Sequence, residues 1–162
     1  MTNKKNKKHY QTPIKPICIN PWSFRCYMNN RGDDIIDDWK KTLSPKGRAN
    51  FDSILKILKD QPRESWRRPL ACGIGDNIFV IHFKDENGSK YRPTGNFLDI
   101  YHSFVITTKA TEKDGNYIPS DYAAIASSRK REVDADPTNK SCACFANISV
   151  AYVPSINPAG LV

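Results

Sequence analysis

The sequence predicts an α+β domain in which one antiparallel sheet is packed by an N-terminal helical hairpin and followed by a short C-terminal helix. Three observations support this prediction: strands of alternating polarity in the middle of the chain, two helical apolar stripes before them, and a proline-led, alanine-rich segment after them. With 162 residues, 39% of them hydrophobic, the chain can bury one sizeable core but is too short for two ordinary domains.

The first predicted helix covers residues 33–43. Ile36, Trp39 and Leu43 recur there at helical spacing, and the early aspartates suit the positive end of the helix dipole. These residues therefore predict an amphipathic helix with one buried side.

The second predicted helix starts at Ser44 and Pro45, because a capping hydroxyl followed by proline in the first turn is a typical helix start. Pro62 ends it. Its predicted buried stripe consists of Phe51, Ile54, Leu55 and Leu58. The two helices are predicted to pack antiparallel across one face of the sheet.

The sheet is predicted from strands at residues 24–28, 78–84, 90–92 with its continuation, and 103–108. In residues 78–84 the period is two, which is typical of a half-buried antiparallel strand. One side carries Phe79, Ile81 and Phe83, and the other carries Ile78, Val80, His82 and Lys84. The second side therefore combines apolar, imidazole and ammonium groups.

The turn at residues 85–89 allows two registers. If all five residues form the loop, Lys84 faces Lys90 and His82 faces Arg92, so that all four lie on one face of the sheet. If only the two residues at the tip turn, Arg92 lies on the other face. The alternation by itself also fits a solvated edge with scattered cations.

The predicted domain covers residues 17–133, between a basic arm at 1–16 and an extension at 134–162. The arm is rich in lysine and has no acidic residue, which is typical of disorder. The short C-terminal helix is led by Pro119 and ends in basic residues. Residues 144–153 of the extension are a candidate extra strand.

The net charge of +8 favours polyanionic partners, that is RNA, DNA or an acidic protein. No apolar run approaches the length of a membrane span, so we expect no membrane partner and a cytoplasmic location.

The five cysteines are odd in number and lack the spacing of a disulfide framework, which favours free thiols in a reducing compartment. Cys142 and Cys144 lack a second ligand pair nearby, so we predict neither a metal nor a cofactor.

The order of these segments resembles the RelE/HigB-like toxins of bacterial type II toxin-antitoxin systems, in particular their phage-derived HigB-like branch. The matching segments are residues 22–30, 33–61, 66–84, 91–92, 104–109 and 119–132. The resemblance implies the RelE/ParE-like fold and an mRNA endoribonuclease that acts without metal, on the ribosome or free. It also implies a cognate antitoxin as the protein partner.

The implied reaction is attack of a ribose 2′-hydroxyl on the adjacent phosphorus, which needs proton transfer and stabilisation of phosphate charge. The resemblance implies that Arg92 binds the phosphate, that Lys84 and Lys109 stabilise charge, that His82 transfers a proton and that Tyr122 stacks on a base or donates a hydrogen bond. Further RNA contacts are predicted for Lys90, Arg67, Arg68 and Lys113. For His82, a satisfied core imidazole is an equally good interpretation.

Two other functions stay open at this point. One is a toxin of the same scaffold that inhibits gyrase by binding. The other is a phage or mobile-element protein that binds nucleic acid without cleaving it.

Overall fold

The computed structural model describes residues 20–144. Within that range the chain forms ten strands and four α-helices. In chain order they are β1 (Ser23–Tyr27), α1 (Ile35–Thr42), α2 (Pro45–Lys59), β2 (Ala71–Gly75), β3 (Ile78–Ile81), β4 (Phe83–Lys84), β5 (Lys90–Tyr91), β6 (Thr94–Leu98), β7 (Ser103–Thr108), β8 (Thr111–Lys113), β9 (Asn116–Ile118), α3 (Tyr122–Ala135), α4 (Pro137–Lys140) and β10 (Ser141–Ala143).

The strands form two sheets. A six-stranded sheet has the order β10-β1-β7-β6-β3-β2, and a four-stranded sheet has the order β4-β5-β8-β9. Neighbouring strands are antiparallel except β1 and β7, which are parallel.

The two N-terminal helices begin where their capping residues predict. The Asp34 carboxylate accepts hydrogen bonds from the amides of Ile36 and Asp37, and the Ser44 hydroxyl accepts one from the amide of Gly47. These side chains satisfy amides that have no partner inside the helix. The helices predicted at these positions are therefore present.

The predicted packing, however, is wrong: the helices do not form a hairpin on one antiparallel sheet. Helix α1 contacts β1 and β7 of the six-stranded sheet, whereas α2 contacts β4 of the four-stranded sheet. The C-terminal helix α3 is not short, since it has 14 residues, and it packs on β6 and β7. The RelE/ParE-like architecture implied by the resemblance is thus not observed.

The centre of the six-stranded sheet is buried on both faces, and β7 explains why. All six residues of β7 are buried. Phe104 and Ile106 belong to the core that contains α1 and α2, while Val105 packs in a second cluster with Val133 of α3. A strand that is apolar on both sides needs a layer on each face, and α3 supplies the second layer.

Three chain segments pass from the six-stranded sheet to the four-stranded sheet, and together they form the junction between the two sheets. His82 separates β3 from β4, Arg92 and Pro93 separate β5 from β6, and Lys109 and Ala110 separate β7 from β8. Pro93 has no amide hydrogen to continue a strand ladder. The predicted continuous strand at residues 78–84 is therefore divided at His82, and several candidate functional residues lie at this junction of the sheets.

A disulfide joins Cys26 of β1 to Cys144, which follows β10. The expectation of free thiols is wrong for these two residues, because pairing of β1 with β10 brings together residues that are 118 positions apart. Cys144 is consequently not a thiolate ligand for a metal. In the part of the chain that the structure describes, Cys72 and Cys142 are free.

The terminal segments of the prediction are only partly described. The basic arm at 1–16 lies outside the described residues, as does all of the candidate strand at 144–153 except Cys144. The described part of the extension continues α3 to Ala135, forms α4 and adds β10 to the edge of the six-stranded sheet. Among residues 20–144, no helix has the length and apolar character that crossing a membrane requires.

Candidate nucleic-acid interface

A cleft of about 300 Å³ opens at the junction of the two sheets. We call it the cationic cleft. Its lining residues are Arg68, Pro69, His82, Phe83, Lys84 and Arg92. Three of these six side chains are cations, and two more are aromatic rings, so the cleft suits an anionic ligand with a planar part.

The register of the β4–β5 hairpin brings these residues together. Lys84 is paired with Lys90, and Phe83 is paired with Tyr91. This is the register in which all five turn residues form the loop, so that alternative is confirmed. The Asp85 carboxylate holds the turn by accepting hydrogen bonds from the amides of Asn87 and Ser89.

Arg92 is buried and ion-paired rather than free. It is 6% exposed, and its Nε and Nη2 atoms lie 2.8 and 2.7 Å from Oε2 of Glu112. Its Nη1 donates to the carbonyl oxygen of Tyr91 at 2.9 Å. A guanidinium has five N–H groups, so these contacts leave donors for a ligand in the cleft.

Glu112 is a site residue that the sequence prediction missed. Burial raises the pKa of its carboxyl, but hydrogen bonding and charge from Arg92, and then from Lys90, bring the pKa below its usual range. The ionised carboxylate offsets one of the positive charges beside the cleft and fixes the direction of Arg92. The pairing of β5 with β8 would have revealed it, but β8 was not among the predicted strands.

His82 is partly buried at the back of the cleft. Burial, followed by the positive charges of Arg92 and Arg68, lowers its pKa from 6.5 to about 4. The imidazole is therefore neutral at pH 7 and can accept a proton. Its Nε2 lies 3.4 Å from Sγ of Cys72, a second neighbour that the sequence did not predict.

Lys109 and Tyr122 are not among the residues that line the cleft. Lys109 is exposed between β7 and β8, at the level of the junction. Tyr122 begins α3 and packs on Tyr117 of β9, with ring centroids 4.5 Å apart. Burial raises the pKa of Tyr122, and the neighbouring Tyr117 and then Cys72 raise it further.

Of the residues predicted as further RNA contacts, one lines the cleft and the others do not. Arg68 lines the cleft, whereas the adjacent Arg67 is exposed and does not. Lys90 and Lys113 line a separate open groove of about 630 Å³ between the two hairpin turns of the four-stranded sheet. Lys90 also lies 3.4 Å from Glu112. In residues 20–144, no group of three His, Cys, Asp or Glu side chains could hold a metal ion.

The electrostatics of the cleft lead to a prediction for His82. Because the cation of Arg68 lowers the pKa of His82, Arg68→Ala should raise that pKa, although it should stay below 6.5 since burial is the largest cause. The measurement is an NMR titration of the His82 ring, assigned with His82→Gln. The neighbouring Arg67→Ala removes the same charge outside the cleft and should leave the pKa near 4.

The lowered pKa of His82 makes the stability of the domain depend on pH. The unfolded chain binds the His82 proton near pH 6.5, while the folded domain binds it only near pH 4. Stability should therefore fall as the pH is lowered through this window and be fully present above it. A wild-type His82 that titrates near 6.5 would contradict this electrostatic description.

No protein-family model, curated protein or solved structure that was compared with the chain matches it.

Proposed function

We propose that the protein binds RNA through the cationic cleft. The observation that carries this proposal is the convergence of Arg68, Lys84 and Arg92 in one cleft beside a neutral imidazole. Arginine forks and a lysine ammonium are the groups that bind phosphate oxygens in nucleic-acid complexes. The net charge of +8 adds long-range attraction for a polyanion.

The test is binding of a single-stranded RNA oligonucleotide, measured by fluorescence anisotropy over a range of salt concentrations. Lys84→Ala and Arg68→Ala should each weaken binding roughly tenfold, which corresponds to one charge-assisted hydrogen bond. Each should also make the logarithmic salt dependence shallower by about 0.7, because one fewer phosphate is neutralised.

The matched control is Lys56→Ala, which removes the same charge from an exposed position on α2. If Lys56→Ala weakens binding as much as Lys84→Ala does, attraction is due to net charge alone and the cleft is not the site. Affinity that does not change with salt would also count against phosphate binding.

A second candidate function is cleavage of the bound RNA, and the observation that favours it is an unprotonated imidazole, His82, in the same cleft as the three cations. Its lowered pKa makes it a weaker base than an ordinary histidine. In this reaction the 2′-oxygen would form a bond to phosphorus as His82 takes its proton. The P–O5′ bond would break, leaving a 2′,3′-cyclic phosphate, and the proton that His82 took would pass to the leaving 5′-oxygen, directly or through water, to give a 5′-hydroxyl. Lys84 and the two arginines would stabilise charge on the phosphate oxygens.

The burial and pairing of Arg92 preorganise a cation that would serve both functions, so they do not distinguish binding from cleavage. The two are separated by incubating RNA with the protein in the presence of a chelator. Cleavage requires cyclic-phosphate products that disappear in His82→Gln while its RNA affinity is retained. An absence of products from the wild type would leave binding as the function.

The toxin role, the antitoxin partner and the RelE/HigB-like relationship stay predictions from the sequence. The toxin role would require that expression of the protein in bacteria arrests growth and that the Lys84→Ala variant loses this effect. A cytoplasmic location belongs to the same hypothesis, and the Cys26–Cys144 disulfide weighs against it, because reducing compartments disfavour such bonds.

A further inference from the structure

Cys72 and Cys142 are the free cysteines of the described chain, and their surroundings differ in charge. The Sγ atom of Cys72, on β2, lies 3.4 Å from Nε2 of His82, which lines the cationic cleft. The Sγ atom of Cys142, on β10, lies 3.3 Å from Oδ2 of Asp34. One thiol is therefore next to a group of cations, and the other is next to a carboxylate.

The cavity beside Cys72 suits a small anion. It has a volume of about 300 Å³, and Arg68, Lys84 and Arg92 line it. Arg92 is paired with Glu112. Arg68 and Lys84 are exposed, and neither has an ion pair with another residue that the structure describes. Two uncompensated cations therefore line a cavity that a small carboxylate compound can enter.

The charges of this cavity act on the ring that contacts the Cys72 thiol. Burial, followed by the positive charges of Arg92 and Arg68, lowers the pKa of His82 to about 4. Only one imidazole ring therefore separates the Cys72 sulfur from the cations. Cys72 is partly exposed, and its strand β2 lies at the edge of the six-stranded sheet. A compound that is bound in the cleft can thus reach the sulfur.

We infer that Cys72 is a modification site for small anionic disulfides, which place a carboxylate in the cationic cleft and form a mixed disulfide with the sulfur. The Cys72 thiol releases its proton to solvent, and the thiolate attacks one sulfur of the reagent. The S–S bond of the reagent breaks, and its electron pair leaves with the second sulfur, which takes a proton from water. Cys72 is oxidised, and the departing half of the reagent is reduced to a thiol.

This selectivity comes from the charge of the reagent and does not depend on RNA binding. A cleft lined by cations raises the local concentration of an anion by roughly tenfold or more. At Cys142, burial and then the hydrogen bond and charge of Asp34 raise the pKa to about 11, against a smaller opposing effect of Arg25. Cys142 should therefore react slowly with any disulfide and should not favour an anion.

The test compares dithiodipropionate, a dianion, with cystamine, a dication of similar size. Each is incubated with the folded full-length protein, and modification of each cysteine is followed by peptide mass spectrometry. Both reagents need the same thiolate, so the ratio of their rates cancels the difference in pKa between the two cysteines. The dianion-to-dication ratio should be greater at Cys72 than at Cys142 by roughly tenfold or more. Equal ratios would overturn the inference.

Two double variants of equal net charge locate the cations that are responsible. Arg68→Ala combined with Lys84→Ala should lower the ratio at Cys72 roughly tenfold. Arg67→Ala combined with Lys56→Ala removes the same charge from exposed positions outside the cleft and should leave the ratio unchanged. If the two variants change the ratio equally, net charge rather than the cleft selects the reagent, and the inference fails.

A competition measurement on the wild type does not require any variant to fold. Inorganic phosphate should occupy the cleft and slow the reaction of Cys72 with dithiodipropionate, while potassium chloride at the same ionic strength slows it less. Equal slowing by the two salts would contradict binding of the anion in the cleft. A Cys72 that reacts only after unfolding in urea would show that the sulfur cannot be reached, which also excludes the modification site.

Discussion

Gly95→Ala should abolish folding or cost more than about 4 kcal/mol in the free energy of unfolding. A β-carbon at this position would lie 2.0 Å from the carbonyl oxygen of Val105 and 2.8 Å from a ring carbon of Phe104. Both neighbours belong to β7, which is buried throughout its length and cannot move aside. The pairing of β6 with β7 would have to open at the centre of the six-stranded sheet.

The matched control for this change is Gly73→Ala. A β-carbon there would meet the Phe79 ring at 3.5 Å, which is an ordinary contact, and β2 lies at the sheet edge. We expect an effect within about 1 kcal/mol. Urea unfolding monitored by tryptophan fluorescence measures both variants. A Gly95→Ala protein as stable as Gly73→Ala would contradict the close packing of β6 on β7.

Arg92→Ala should destabilise the domain by about 3–5 kcal/mol, as removal of one partner from a buried ion pair typically does. It would leave the Glu112 carboxylate, which is 16% exposed, without its main partner. Because Arg92 is buried and ion-paired, weaker RNA binding by this variant would not isolate the role of its side chain in the cleft. Lys84→Ala, at an exposed position, is the cleaner functional probe.

Neutralising both Arg92 and Glu112 should recover much of the stability that Arg92→Ala loses. In Arg92→Met with Glu112→Gln, neither partner leaves an unpaired charge, and the double variant should be more stable than Arg92→Ala. Thermal unfolding of the wild type, Arg92→Met, Glu112→Gln and the double variant completes the cycle, with Arg92→Ala measured beside them. Equal stability of Arg92→Ala and the wild type would show that the ion pair contributes nothing.

The parts of the fold that could be predicted are those with a local cause. Capping by Asp34 and Ser44, together with apolar residues at helical spacing, was enough to predict α1 and α2. The turn residues likewise offered the correct register as one of two alternatives. In each case the determining residues lie within a few positions of the element.

The sheet junction has no comparable local signal. Alternation continues through His82, so the sequence does not show that β3 and β4 belong to different sheets. The parallel pairing of β1 with β7 and the position of β10 depend on contacts far apart in the chain. The C-terminal helix was predicted at residues 119–132, close to α3, but its packing on β6 and β7 was not predicted, because only Ala126 and Val133 are buried on it.

The candidate site shows the same division between local and distant causes. His82, Lys84 and Arg92 were predicted because the hairpin register joins them, and Arg68 was predicted from its charge. Glu112 could not be predicted, since its position depends on pairing of β5 with β8.

The direction of the strands determines how the domain can be tethered. Because β1 is parallel to β7 and Cys144 hydrogen-bonds to Phe24, both ends of the described chain lie where β7 begins. The sheet junction lies at the other end of β7, about 20 Å away along the strand. A tether attached at residue 20 or at residue 144 would therefore lie at the opposite end of β7 from the cleft.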